Sequence, residues 1–498
     1  MDEQREMKVK NPWHRPVIIL IIVLIAIGIV VMVATAIIQN KPLHQKYKYG
    51  IVLDAGSSHT SVFIYEWPAE KENNTGMVRQ KHACDVKGKG ISSYSGNPAG
   101  AGSSLTDCMA EAQKIIPVHR HQETPVYLGA TAGMRLLRME DSSLSDQVLD
   151  AVERSLQTYP FDYQGARIIT GQEEGAFGWI TVNYLSDNFR KASGTIGALD
   201  LGGASTQITF VSKENSENPE NSMDFRLYGN PYHLYTHSFL CYGKDQVLKL
   251  ALAKKLQSLE MQEDVLKDAC FHHGYKANKT LSSVFNTPCV SEKLADSPKS
   301  FIHWGTGDGV ECQNAVRKVF NHSCCQYSTC SFNGVYQPPV EGHFGAFSAF
   351  YFVMNFLNLT NDDLETAKAK LINYCSTPWE EIKSSYPSVK EKYLAEYCFS
   401  GTYILTLLED GYNFTSTTFK NIEFIKKIAD SDAGWTLGYM LNLTNMIPAE
   451  APDTPPLPHG GFVSLMLVLS LLIFSLVIVG YKCFRRPVVY SSAPKDIV

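Results

Sequence analysis

A short pattern occurs twice in this chain, so any fold that houses it must present the same turn twice. Residues 51–64 read IVLDAGSSHTSVFI, and residues 197–210 read GALDLGGASTQITF. Aligned without a gap, both place Leu-Asp-x-Gly at one point: Leu53, Asp54 and Gly56, then Leu199, Asp200 and Gly202. Each copy enters as an apolar run, turns through small Gly, Ser and Ala residues, and leaves with β-branched and aromatic residues. That is the pattern of a β-hairpin. Glycines let the backbone approach a ligand, and successive N–H groups in such a turn form a nest for an anion. A single Asp-x-Gly turn reads as an ordinary hairpin corner. Two matching copies rich in hydroxyls predict facing phosphate grips, with Asp54 and Asp200 left to hold a metal ion.

Two apolar runs without a charge, residues 17–38 and 462–480, bracket everything else. Each is long enough to cross a bilayer, which takes roughly 20 apolar residues. The first is too long for the apolar core of a cleaved signal peptide and has no clean small-residue cleavage site. Arg5, Lys8, Lys10 and Arg15 precede it, and Lys482, Arg485 and Arg486 follow the second run. Positive-inside logic places the tails, residues 1–16 and 481–498, in the cytoplasm and the intervening chain outside, in a plasma membrane protein with two helices. Glycosylation sequons at Asn73, Asn278, Asn321, Asn358, Asn413 and Asn442 all fall between the helices, as does every cysteine except Cys483. Both fit an oxidising, extracytoplasmic compartment. The net charge of −5 shows no basic footprint for nucleic acid. Gly28 and a few small neighbours leave helix association within or between chains open, a homo-oligomer included. Cys483, just inside the membrane, is a palmitoylation candidate or an unmodified thiol.

The middle segment is too long for one ordinary core, so two domains are expected. Helical patterning covers residues 104–116, 144–156, 246–259 and 344–357. Strand patterning recurs at 51–53, 126–128, 167–169 and 197–199. The class is therefore α/β. A proline-rich spacer, residues 451–461, precedes the second apolar run.

Three further segments carry chemistry. Residues 124–138, TPVYLGATAGMRLLR, predict a strand, a small-residue turn and a helix from near Met134, so that Thr131 and the helix N-terminus face a phosphate. Taken alone, the segment reads first as a plain strand-to-helix connection. Residues 171–184, GQEEGAFGWITVNY, set two adjacent carboxylates at the start of an apolar helix. They are either favourable charge at a helix N-terminus or the source of a general base. Adjacent helical residues point about 100° apart, so only one can face a site. Ser205 and Gln207 alternate onto one face of the strand after the second turn, where they can orient a water. Trp435, in the glycine-flanked DAGWTLGY, reads on its own as a core tryptophan.

Together, DAGSSHT, GATAGMRLLR, GQEEGAFGWITVNY, LDLGGASTQITF and DAGWTLGYMLNLTN resemble the five apyrase regions of the ectonucleoside triphosphate diphosphohydrolases, in the family's order and approximate spacing. The likeness covers nearly the whole chain and is strongest to the cell-surface, two-helix, vascular and lymphoid ecto-apyrase branch. It implies two RNase-H-like domains, as in actin, the Hsp70 ATPase and sugar kinases, with nucleotide in the cleft. One lobe would comprise residues 46–165 plus 436–455 and the other residues 166–435. The implied reaction removes the terminal phosphate from extracellular nucleoside triphosphates, then diphosphates, to leave the monophosphate.

Carried over by the resemblance, Glu174 is the general base. Asp54 and Asp200 hold Ca²⁺ or Mg²⁺ largely through waters. Ser57, Ser58 and His59, with Gly202, Gly203 and Ala204, bind phosphates, while Thr131, Ser205 and Gln207 position the attacking water or terminal phosphate. Trp435 lines the site, and Phe352 and Tyr393 clamp the base. The implied disulfides are Cys84–Cys108, Cys241–Cys289, Cys270–Cys312, Cys325–Cys330 and Cys375–Cys398. Two departures stand out: Cys324 is an extra extracytoplasmic cysteine, and residues 185–196 are shorter than the family loop that approaches the membrane. A kinase on the same fold is the nearest alternative function. A non-enzymatic surface receptor would explain the helices, sequons and cysteines but not the repeated turns.

Overall fold

The computed structural model describes residues 14–40, 46–70, 76–192, 194–213, 216–258, 264–291, 300–428, 430–444, 447, 449–450 and 455–485. The sequon at Asn73, the tail residues Arg5, Lys8, Lys10 and Arg486, and residues 451–454 of the spacer lie outside them. The chain forms two compact units, Tyr47–Pro448 and Met1–Lys46 with Ala449–Val498.

α1 (His14–Gln39) belongs to the smaller unit. The larger unit begins with β1 (Tyr47–Ala55), β2 (Thr60–Pro68), β3 (Arg79–Asp85), β4 (Pro125–Ala130) and β5 (Asp162–Ile168), in the sheet order β3-β2-β1-β4-β5. The first three strands are antiparallel, and β4 and β5 continue the sheet parallel to β1. Between them run α2 (Pro98–Ser104), α3 (Thr106–Ile115), α4 (Ala132–Glu140) and α5 (Ser142–Leu156), and α6 (Gly171–Leu185) leads to the second sheet. That sheet contains β6 (Gly197–Leu201), β7 (Ser205–Val211), β8 (Ser222–Leu227) and β9 (Asn230–Leu240). A three-stranded sheet follows from β10 (Val265–Asp268), β11 (Lys276–Thr280) and β12 (Ser300–Gly305). The second sheet is completed by β13 (Phe344–Ser348) and β14 (Ile422–Phe424), giving the order β14-β13-β6-β7-β9-β8. The remaining helices are α7 (Lys244–Ser258), α8 (Leu281–Phe285), α9 (Gly309–Arg317), α10 (Ala349–Phe356), α11 (Leu364–Ser376), α12 (Trp379–Ser385), α13 (Glu391–Thr406), α14 (Ser416–Phe419), α15 (Trp435–Thr444) and α16 (His459–Arg485).

The internal repeat is therefore one of topology as well as sequence. In each large sheet an antiparallel hairpin, β1–β2 or β6–β7, is flanked on one side by further antiparallel strands, β3 in the first sheet and β9 and β8 in the second, and on the other side by two parallel ones. Both hairpins carry the Leu-Asp-x-Gly turn.

Side-chain alternation along these strands decides where the aspartates point. On β1, Ile51, Leu53 and Ala55 enter a core with α2, α3 and α5, whereas Val52 packs toward α6 and α15. Asp54, two residues beyond Val52, shares its face. On β6, Leu199 and Leu201 enter the core beside the second sheet, and Ala198 joins the layer of α6 and α15. Asp200 shares Ala198's face. Both carboxylates are thus aimed at the same helical layer. α6 is buried on nearly every side, with Phe177, Trp179, Ile180 and Val182 in that layer, as its apolar surround requires. A Cβ at Gly438 of α15 would stand 2.1 Å from the Phe177 carbonyl oxygen, so the two helices meet backbone to backbone.

One sequence expectation is corrected. Residues 344–357 are not one helix: β13 occupies the first five and α10 follows. β13 lies between β6 and β14 and is buried on both faces, so Phe-Gly-Ala-Phe shows no alternation to mark it as a strand. α4 starts at Ala132, near the expected Met134. The short stretch after α6 folds back on the protein, its Phe189 ring lodged against Trp179, Tyr228 and Tyr232.

In the smaller unit α1 and α16 run antiparallel, and both are long and apolar enough to cross a membrane. A Cβ at Gly28 would stand 3.0 Å from Ile473, and one at Gly480 would stand 3.2 Å from Ile21. At one end Gln39 bonds both the N–H and the carbonyl oxygen of Leu457.

Candidate active site

The two hairpin turns face each other. A Cβ at Gly203 would lie 2.7 Å from Ser57 Oγ, and one at Gly133, in the first turn of α4, would lie 2.8 Å from Ser57 Cα. Side chains at either position would close the gap, which explains glycine at both. Ser57, Gly202 and Gly203 are half-buried, Ala204 is buried, and Ser58 and His59 are exposed. The Ser58 hydroxyl and His59 Nδ1 are 3.0 Å apart. The second turn is held by Gly202 N–H donating to Ser205 O, and by Lys244 and Asp245 N–H donating to Gly202 O and Gly203 O. Thr131 is the buried N-cap residue of α4, and its hydroxyl makes no capping bond to its own helix.

The paired glutamates of α6 divide their work. Glu173 closes a capping box with Thr170 and accepts two 2.9 Å bonds from Arg167. Glu174 points inward and is buried. Its Oε2 accepts from Arg135 Nη2 at 2.5 Å and from Gln207 Nε2 at 3.2 Å. The same Arg135 nitrogen lies 3.3 Å from Ser205 Oγ, and Gln207 Nε2 reaches Ser205 Oγ at 2.7 Å and Ser238 Oγ at 2.9 Å. Gly171 makes room for this cluster: a Cβ there would stand 2.2 Å from Ser238 Cβ and 2.9 Å from Arg135 Nη1. The structure therefore brings Glu174, Ser205 and Gln207 together, joined by Arg135 and Ser238, which sequence reasoning passed over. Arg135 lies four residues beyond Thr131, hence on the same helix face; that spacing was the available signal.

Electrostatically the cleft is unbalanced. Burial pushes Asp54 up to about 7 and Asp200 up to about 8, and the Glu174 charge adds to both. Burial raises Glu174 too, against the opposing pull of Arg135. The Trp435 indole faces Asp54 and offsets part of its shift without reaching hydrogen-bond geometry. Ser348 does the same for Asp200, from a backbone at φ 57° that L-residues seldom adopt. Asp54 Oδ1, Arg135 Nε and Nη1, Gln207 Oε1 and Trp435 Nε1 are buried without a partner. Protein interiors rarely leave so many polar atoms unpaired. Among the described residues no three His, Cys, Asp or Glu side chains form a ready-made metal cage. Asp54 and Asp200, raised by burial and then by the Glu174 charge, with one Asp54 oxygen unpartnered, fit a cation held by few direct protein ligands.

Trp435 is both a core and a cleft residue: buried in the layer of α6 and α15, it also presses on β4, where a Cβ at Gly129 would lie 2.3 Å from its ring. Gly129 is the register partner of Asp54. Phe352 on α10 and Tyr393 on α13 are exposed, and Phe352 lies edge-on to Tyr351. The disulfides are Cys84–Cys108, Cys241–Cys289, Cys270–Cys312, Cys325–Cys330 and Cys375–Cys398, with Cys324 an exposed free thiol. Among the sequons, Asn278, Asn321, Asn358 and Asn413 are exposed and Asn442 is half-buried.

A family model for the GDA1/CD39 (nucleoside phosphatase) family matches residues 40–455. The chain belongs to the GDA1/CD39 family. It is accordingly an enzyme, a nucleoside phosphatase. Among curated GDA1/CD39 relatives, ectonucleoside triphosphate diphosphohydrolase 1 of Rattus norvegicus is 52% identical over 505 residues, 98% of each chain. Ectonucleoside triphosphate diphosphohydrolase 2 of Gallus gallus is 46% identical over 447 residues, 86% of this chain and 88% of that one. The crystal structure of nucleoside triphosphate hydrolases from Neospora caninum superposes with a TM-score of 0.57 at 15% identity, covering 81% of this chain and 93% of that chain, which supports the fold.

Proposed function

We propose that this chain removes the terminal phosphate of extracellular nucleoside triphosphates and then diphosphates, leaving the monophosphate, with a divalent cation required and purinergic signals ended as a result. The observation that carries the reading is the facing pair of glycine turns with Glu174 and Asp200 buried and Asp54 half-buried on the faces turned to the layer of α6 and α15. The turns supply N–H groups and hydroxyls from Ser57, Ser58, Gly202, Gly203 and Ala204 to phosphate oxygens, with His59 beside them. Glu174 takes the proton of the attacking water, which Ser205, Gln207 and Thr131 orient toward phosphorus. Phe352 and Tyr393 flank the base, and Trp435 backs the cleft. Asp54 and Asp200 would hold Ca²⁺ or Mg²⁺ largely through waters; such an ion neutralises phosphate oxygens and so stabilises the charge of the transition state. The two helices anchor the chain in the plasma membrane with both tails in the cytoplasm and the catalytic unit outside.

The test is a time course of nucleotides after ATP and Ca²⁺ are added outside intact cells expressing the chain. ATP should disappear and AMP accumulate without any second substrate. ATP that persists, with the protein confirmed at the surface, would overturn the reading, and release that needs an acceptor would make the protein a kinase.

A further inference from the structure

Arg135 ties together three elements that carry the proposed chemistry. It rises from the first turn of α4, directly behind Thr131, whose carbonyl oxygen accepts its backbone N–H at 3.1 Å. Its Nη2 reaches Glu174 Oε2 on α6 at 2.5 Å and Ser205 Oγ at the start of β7 at 3.3 Å. Gln207 Nε2 converges on the same glutamate oxygen and the same serine oxygen. Both bonds to Glu174 thus fall on Oε2, and neither uses Oε1. A flexible carboxylate swings unless it is held; an anchored Oε2 fixes the plane in which Oε1 presents its lone pairs. A guanidinium, planar and multiply donating, can brace two acceptors at once, whereas an ammonium acts as a point charge. Gly171 lies against the guanidinium, where a Cβ would stand 2.9 Å from Nη1.

We infer that Arg135 is the positioning residue of the active site: it clamps Glu174 through Oε2, leaves Oε1 to the attacking water, and locks that carboxylate to Ser205 of the second phosphate turn. The inference rests on Glu174 being the base. Arg135 acts through Glu174, so its loss should lower kcat while KM for ATP changes far less. The loss should stay within what the base itself contributes, roughly 10²–10⁴-fold.

The experiment measures kcat and KM for ATP at saturating Ca²⁺, on the full-length protein in membranes, for R135K, R135A, E174Q and the double variant R135A/E174Q. Expected are a fall in kcat for R135K and a larger one for R135A, with the double variant no slower than E174Q alone, since the arginine has nothing left to position. Guanidinium, added at concentrations that leave the unaltered protein folded, should restore part of the R135A rate and none of the double variant's. Losses that multiply in the double variant, a raised KM at constant kcat, or an R135A rate close to that of the unaltered protein would each overturn the inference. So would loss of surface expression and thermal midpoint in R135A with no guanidinium rescue, since the role is then structural. Full activity in E174Q would instead overturn the base assignment.

Discussion

On α6 the two adjacent glutamates are separated by about 100° of helix rotation, and the structure turns that angle into two roles. Glu173 is bound to Thr170 and Arg167 at the helix start, outside the cleft, while Glu174 is buried against Arg135 and Gln207. E174Q should therefore lose roughly 10²–10⁴ in kcat with its thermal midpoint held. E173A should keep a kcat near that of the unaltered chain while losing about 1 kcal/mol of stability with its cap. Paired steady-state and thermal-melt measurements check both, and a reversed pattern would exchange their roles. Helix geometry in the sequence already required one of the two to face away, but not which. The capping box that decides it depends on Thr170 lying outside the helix, a property of the chain's path. Arg135 was harder to read. An arginine in a helix is ordinarily a solvated side chain, and only the arrival of α6 and β7 from distant sequence turns it inward.

Whole elements were legible where their faces differ chemically. The hairpins β1–β2 and β6–β7 show because turn residues and alternation coincide, and the amphipathic α5 shows because one face alone is apolar. β13 failed because a strand buried on both faces has no alternation to display. The backbone contact between α6 and α15 was equally hidden, since Gly438 in a helical stretch looks merely unfavourable until Phe177 O is placed against it. G438A should part the two helices and cost about 1–3 kcal/mol, the usual range for overpacking. Because α15 also carries Trp435, activity should fall along with the thermal midpoint. A G438A protein that melts with the unaltered one would show that the helices have room to separate freely.

At the scale of the molecule, the carboxylates of the cleft couple folding to pH, and the proposed cation would join that coupling. Asp54 and Asp200 are raised by burial and by the Glu174 charge to about 7 and about 8, from ordinary values of 3.8. The sign follows from proton counting. Between about pH 4 and pH 8 the unfolded chain has released protons that the folded, cation-free protein still holds, so folding weakens as pH rises through that window. The loss is on the order of 4 kcal/mol for a carboxylate displaced as far as Asp54. A divalent cation held there, as proposed, would remove the penalty by stabilising the ionised carboxylates, and its binding would expel protons. In EDTA the thermal midpoint of the full-length protein in detergent should fall from pH 5 to pH 8. With saturating Ca²⁺ it should stay nearly level, so the gap between the two curves widens as pH rises. Substituting both aspartates, D54N/D200N, should flatten the EDTA curve and abolish the gap, because neither side chain then titrates or attracts the ion. Curves that run parallel from pH 5 to pH 8 would mean that the cation and these protons do not compete for the same carboxylates.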